Sequence, residues 1–207
     1  MNRFTDIFGE KINDFWELPT DEQKVKICSE ILQYANNDSQ SFKNDLKAIQ
    51  FDNDLYALPI VMEALSQDTD NWGQFYVELL DTIFNTAKFA DKPYDVLTYL
   101  MEFAYIEKIN KPFVKQIADK LYNELNTQNT AIQIAALWTL PAYLKNEAVT
   151  NKHIIKDALE DKLNDNNWRI RYVAFKSLEY ENLLPKGRKL ALKDKLCALI
   201  LGAPKIV

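Results

Sequence analysis

Glycine, cysteine and histidine are scarce in this chain, which has four, two and one of them among 207 residues. The glycines are isolated from one another, so the sequence has no glycine-rich loop of the kind that cradles a phosphate. With His153 as the sole histidine, a metal site built from several histidines is excluded. The Gly-x-Ser-x-Gly motif of a nucleophile elbow is also missing. We therefore predict that the protein is not an enzyme and uses no metal or cofactor.

Long apolar runs are missing as well, and none approaches the roughly 20 residues of a membrane-spanning helix. The first residues lack the charged and then apolar pattern of a secretory signal. Cys28 and Cys197 are far apart and each falls in an apolar helical pattern, which is typical of buried thiols in a reducing compartment. We expect a cytoplasmic protein that does not contact a membrane.

The net charge of −5 conceals a difference between the two halves of the chain. Residues 1–107 have 8 Lys and Arg against 20 Asp and Glu, whereas residues 108–207 have 17 against 10. Their balances are therefore −12 and +7. This asymmetry indicates either a charged surface for a partner or two differently charged solvent faces. The absence of a clustered basic run favours the second interpretation.

Apolar residues recur at steps of three and four along most of the chain, which is typical of helices that bury one face. Connections between these segments are short, so successive helices should be antiparallel neighbours. Pro59 and Pro141 fall inside helical patterns, where each predicts either a kink or a break into two helices. We predict an all-α fold of about eleven helices, near residues 5–17, 20–36, 39–50, 54–67, 71–87, 93–108, 111–126, 129–145, 150–164, 167–182 and 187–201.

One apolar pattern occurs twice in the C-terminal half, 38 residues apart. Ile132, Ala136 and Leu140 correspond to Ile170, Ala174 and Leu178. A fixed period of this length is the sequence signature of stacked helical repeats. The shared register predicts a core made of Ile117, Leu121, Leu125, Ile132, Ala136, Leu140, Leu159, Leu163, Ile170, Ala174 and Leu178.

Residues 165–178 read Asp-Asn-Asn-Trp-Arg-Ile-Arg-Tyr-Val-Ala-Phe-Lys-Ser-Leu, which resembles the second helix of a HEAT repeat. The resemblance implies a right-handed α-α superhelix, that is, a HEAT-like solenoid. It also implies that Asp165 and Arg171 form the ladder pair that tethers neighbouring repeats. Thr127 and Gln133 occupy the equivalent positions one repeat earlier, so the ladder should be absent there.

The resemblance suggests one helical-repeat domain over residues 1–207 with three parts. Residues 1–110 would be a divergent helical part, residues 111–182 two HEAT-like repeats, and residues 183–207 a C-terminal capping helix. In HEAT arrays the second helices line a concave binding surface. The candidate binding residues on that surface lie off the core stripe and are Trp138, Ile134, Arg169, Tyr172 and Lys176.

Trp, Tyr and Arg are enriched at the hot spots of protein interfaces, so this surface predicts a protein or peptide partner. The protein would then be a non-catalytic interaction or adaptor module. The alternative for Trp138 is that it packs beneath the adjacent helix.

A second hypothesis is a nucleic-acid-binding protein related to the HEAT-like alkylpurine DNA glycosylases. In that family, tryptophans and an acidic residue hold a cationic damaged base. Trp72 and Trp168 could supply the aromatic faces, but Tyr76 stands where the acid should follow Trp72. The simpler interpretation is that both tryptophans pack between helices.

Overall fold

The computed structural model describes residues 21–48, 57–89 and 111–204, and within these ranges the chain is helical with no strand. The predicted helices near 5–17 and 93–108 lie outside the described residues. All-α architecture is confirmed for the described part. Its nine helices are α1 (Asp21–Asn37), α2 (Ser39–Ala48), α3 (Ala57–Leu65), α4 (Thr69–Phe89), α5 (Lys111–Glu124), α6 (Thr130–Tyr143), α7 (Lys152–Asp161), α8 (Trp168–Tyr180) and α9 (Leu192–Leu201), with a 3₁₀ turn at Lys162–Asn164.

Pro141 lies inside one continuous helix, α6, so it does not divide two helices. Pro59 lies in the first turn of α3, where a helix tolerates proline. The helix predicted near 187–201 begins later, at Leu192. Gly187 adopts a φ of +81°, which is incompatible with a right-handed helix. The Arg188 amide also donates to the Pro185 carbonyl at 3.0 Å, and the segment before α9 therefore forms a turn.

The chain divides into two compact units, Met1–Glu78 and Leu79–Val207, with the boundary inside α4. In the first unit, α1 packs against α2 and α3. Its core contains an aromatic cluster in which the Phe42 ring lies 5.2 Å from Trp72 and 6.1 Å from Phe75, both edge to face. The Trp72 Nε1–H donates to Asn36 Oδ1 at 2.8 Å, which satisfies the polar end of this buried side chain.

In the second unit, α5 packs against α6, α7 packs against α8, and α6 and α8 pack against each other. The core predicted from the 38-residue register is confirmed, because each of its eleven residues is buried. Asparagine caps recur in the same register. Asn129 Oδ1 accepts from the Ile132 amide at 3.2 Å, and Asn167 Oδ1 accepts from the Arg169 amide at 3.0 Å. Such caps satisfy amides that a helix start leaves without an intrahelical partner.

Ala174 is fully buried on α8, the helix that packs against α6. We expect Ala174→Leu to lower the free energy of unfolding by about 1–3 kcal/mol, because the added carbons force packed helices apart. Urea denaturation followed by circular dichroism measures this loss. Ala142→Leu on the partly exposed side of α6 is the control. An equal effect of the two substitutions would contradict close packing at Ala174.

Candidate binding surface

Four side chains at steps of four residues form a row along α8 that is not buried. Residues four apart lie on one ridge of a helix. We call this row the α8 ridge, and it consists of Trp168, Tyr172, Lys176 and Tyr180. The rings of Trp168 and Tyr172 are 6.5 Å apart, and the Arg169 guanidinium lies 5.5 Å from the Trp168 ring. The ridge therefore presents aromatic faces next to cationic groups.

Trp138 extends this surface from α6. Its ring centroid lies 5.8 Å from that of Tyr180, whose side chain is largely exposed. Trp138 is intermediate in exposure, so part of its side chain reaches the surface. Lys176 forms an ion pair with Glu179 at 2.7 Å, which keeps its ammonium group at the surface of α8. Together, these side chains of α6 and α8 form an aromatic and cationic patch.

Of the five predicted binding residues, Trp138, Arg169, Tyr172 and Lys176 lie on or next to this patch. Ile134 does not contribute to it, because its side chain is 2% exposed. The reason is that α6 packs against both α5 and α8, so residues on most of its circumference are buried. Tyr180 and Trp168 complete the row, and the step of four from Tyr172 identifies both.

Arg171 holds three parts of the second unit together. Its Nη1 donates to the carbonyl oxygens of Asp165 at 2.7 Å and Asn166 at 2.9 Å. Its Nε donates to Asp194 Oδ2 at 2.9 Å, and its Nη2 donates to Asp194 Oδ1. The Asp165 carboxylate instead accepts from the Asn167 amide at 2.8 Å. Arg171 thus contacts Asp165 through the main chain, and its carboxylate partner is Asp194 of α9.

The Arg171–Asp194 ion pair is well shielded from solvent, since Asp194 is 2% exposed. Hydrogen bonding to Arg171 is the main reason that the pKa of Asp194 lies below its ordinary value, and burial opposes this effect. The hydrogen bond to Asp194 likewise raises the pKa of Arg171. Both groups are therefore charged at neutral pH, and the bidentate geometry fixes α9 against α8.

Gln133 occupies the position that matches Arg171 one repeat earlier. Its Nε2 donates to the Leu125 carbonyl at 2.5 Å, so it also ties the start of a second helix to the segment before it. A neutral amide cannot form the ionic part of the Arg171 interaction. A hydrogen bond from the helix to a preceding main-chain carbonyl is therefore present at both Gln133 and Arg171. Of these two residues, Arg171 also forms an ion pair.

A cleft of about 380 Å³ lies beside the Arg171–Asp194 pair. Arg188 lines it and donates to the Leu163 carbonyl at 3.0 Å and to Asn164 Oδ1 at 2.7 Å. Lys189 and Lys193 also line it and are exposed. The two arginines are occupied by protein acceptors, so the cleft can offer mainly lysine charges to a ligand.

Trp72 occupies a different environment from Trp168. Its side chain is 4% exposed and surrounded by Phe42 and Phe75, and Tyr76 is equally buried. A base could not stack on Trp72 without displacing this aromatic cluster. Trp168 is partly exposed, in keeping with its place on the α8 ridge.

The remaining candidate groups are dispersed. His153 is exposed on α7, and Cys28 is buried near the Ile60 carbonyl, at 3.9 Å. Over residues 21–48, 57–89 and 111–204, no group of three His, Cys, Asp or Glu side chains is placed to hold a metal ion. Among the helices described, none combines the length and the apolar character needed to cross a membrane.

Comparison of the chain with models of protein families, with curated proteins and with solved structures gave no match.

Proposed function

We propose that this chain is a non-catalytic protein- or peptide-binding module of HEAT-like type, in which α6 and α8 line the binding surface. The observation that carries the proposal is the α8 ridge with Trp138 beside it. Large aromatic side chains that lie outside a well-formed core indicate a binding surface, because such side chains are otherwise mostly buried.

The HEAT-like interpretation draws support from features that repeat with the 38-residue period. The second helices α6 and α8 pack side by side, and both begin at an asparagine cap. Gln133 and Arg171 each bond to a carbonyl that precedes its helix. These features are consistent with repeats that stack in one direction, and we infer a right-handed superhelix from the resemblance.

A protein partner fits this surface because its chemistry is that of an interface hot spot. Trp138 and Tyr180 supply rigid apolar area, and Arg169 supplies a charged group that stacks on aromatic rings. The positive balance of residues 108–207 would steer an acidic partner toward this half of the chain. We propose an adaptor or scaffold role in the cytoplasm on this basis.

The proposal is tested by selecting peptides from a displayed random library against the full chain and then titrating the best peptide. We expect Trp138→Ala to weaken binding by about 2 kcal/mol, or about 30-fold in Kd, because a partly desolvated aromatic anchor is lost. Arg169→Ala should weaken it less. Tyr122→Ala on α5 is the matched aromatic control and should leave Kd unchanged.

The contrasting outcome is that neither Trp138→Ala nor Arg169→Ala changes Kd, which would remove the ridge as the binding surface. A nucleic-acid function is separated from a protein function by a titration with a duplex DNA probe at several salt concentrations. Phosphate contacts make log Kd depend linearly and steeply on log salt. Tight DNA binding of that kind, lost in Arg169→Ala, would favour the alternative over the proposal.

A further inference from the structure

The outer face of α9 exposes a stripe of aliphatic side chains. Leu192, Leu196, Leu199 and Ile200 form it, with exposures from 47% at Leu196 to 81% at Leu199. At about 100° of rotation per residue, these four positions fall within an arc of about 100°. An arc of this width is the apolar stripe with which an amphipathic helix normally packs against its neighbour.

The opposite side of α9 is fixed to the rest of the unit. Asp194 lies there and is held by Arg171 of α8. The aliphatic stripe therefore has a defined orientation, because the ion pair prevents α9 from turning it toward α8. A helix that closes a repeat array normally presents a polar outer face. The outer face of α9, the helix in the expected C-terminal cap at residues 183–207, is apolar instead.

Two lysines border the stripe. Lys193 falls at one edge of the arc and Lys195 at the other, and both are exposed. Flanking positions of this kind select partners by charge in helix pairs. Residues 186–195 do not form an uninterrupted basic run, but they contain five Lys and Arg, all of them exposed. Their one acidic residue, Asp194, is paired with Arg171. The surroundings of the stripe are therefore strongly positive.

We propose that the outer face of α9 binds an amphipathic helix of another protein whose apolar stripe is flanked by acidic residues. The described helices of this unit pack against other helices. The stripe of Leu and Ile offers a further helix the same kind of apolar surface. In a parallel pair with a second copy of α9, the lysines of the two copies would lie against each other along the edges of the stripe, which is destabilising. A membrane surface is less suited, since the stripe has no aromatic residue of the type that anchors helices at lipid interfaces.

The experiment uses the full chain and a fluorescent synthetic helical peptide with leucines along one face and glutamates along both edges of that face. A control peptide has lysines in place of the glutamates. We expect the Glu peptide to bind at least about tenfold more tightly than the Lys peptide, as opposite charges attract. Leu199→Ser with Ile200→Ser should lower its affinity at least about tenfold. Trp138→Ala should leave it unchanged, which separates this site from the α8 ridge.

Charge reversal provides the sharpest control, because Lys193→Glu with Lys195→Glu should exchange the preference of the chain for the two peptides. Far-UV circular dichroism verifies that these surface variants remain folded. Equal affinity for the two peptides would overturn the proposal, as would Glu-peptide binding that survives Leu199→Ser with Ile200→Ser. Two further results would also overturn it. One is stripe-dependent binding to phosphatidylglycerol vesicles without peptide binding, and the other is stripe-dependent dimerisation of the chain in sedimentation.

Discussion

Asp194→Ala should lower the free energy of unfolding by about 2–3 kcal/mol, because Arg171 loses charge-assisted hydrogen bonds in a part-buried ion pair. Arg171 would retain its two carbonyl acceptors but lose both contacts to the carboxylate. Its guanidinium would then stay mostly shielded from water with its charge uncompensated. Denaturation in urea, monitored by circular dichroism, measures this effect.

Asp157→Ala, on the exposed side of α7, is the matched control and should change stability by less than about 0.5 kcal/mol. The double variant Arg171→Met with Asp194→Leu should recover much of the loss, since an apolar pair of similar volume avoids the unpaired charge. Equal stability of Asp194→Ala and Asp157→Ala would show that the ion pair contributes little.

The pH dependence of the same pair has a definite sign. The folded state lowers the pKa of Asp194, so the carboxylate contributes stability above its unfolded pKa of about 3.9. That contribution is lost as the pH falls through the lower pKa of the folded state. The stability difference between the wild type and Asp194→Asn should therefore be full at pH 7 and should shrink below about pH 4. A difference that grows on acidification would contradict the assignment.

Trp72→Ala should lower the free energy of unfolding of the first unit by about 3–5 kcal/mol, as large aromatic truncations in cores do. The substitution removes the edge-to-face contacts with Phe42 and Phe75 and leaves Asn36 Oδ1 without its donor. Thermal unfolding followed by far-UV circular dichroism measures this loss, because that signal does not depend on the fluorescence of the removed tryptophan.

Trp168→Ala is the matched control for Trp72→Ala, since Trp168 is partly exposed on the α8 ridge. We expect a loss of about 1 kcal/mol or less there. If Trp72 served as an accessible surface for a DNA base, the order would be reversed or the two losses equal. Such a result would restore the glycosylase-related hypothesis for Trp72.

The 38-residue register predicted the core of α5 to α8 correctly because helical periodicity is a local property of the sequence, and it marks the apolar face that each helix buries. Ala174 and Leu178 could be placed from spacing alone. The position of Tyr172 off the core stripe, where it is only partly buried, followed from the same spacing. A single helix pattern could not show that α6 has neighbours on two sides, α5 and α8, and that Ile134 is therefore buried although it lies off the core stripe.

The Arg171–Asp194 pair lay beyond sequence reasoning for a related reason. The two residues are 23 positions apart, and a turn rather than a helix fills much of that interval. Asp194 lies between two lysines in α9, and from the sequence alone a carboxylate at such a position is expected to face solvent. Its burial depends on how α9 docks on α8, which is a tertiary property.

The most direct test of the central claim is photocrosslinking from defined positions of the full chain in living cells. Benzoylphenylalanine would replace Tyr172 or Tyr180 on the α8 ridge, or Tyr122 on α5 as the matched control. We expect one and the same protein adduct from positions 172 and 180, reduced by Trp138→Ala and missing from position 122. Adducts from position 122 with none from 172 or 180, or adducts with nucleic acid in place of protein, would contradict it.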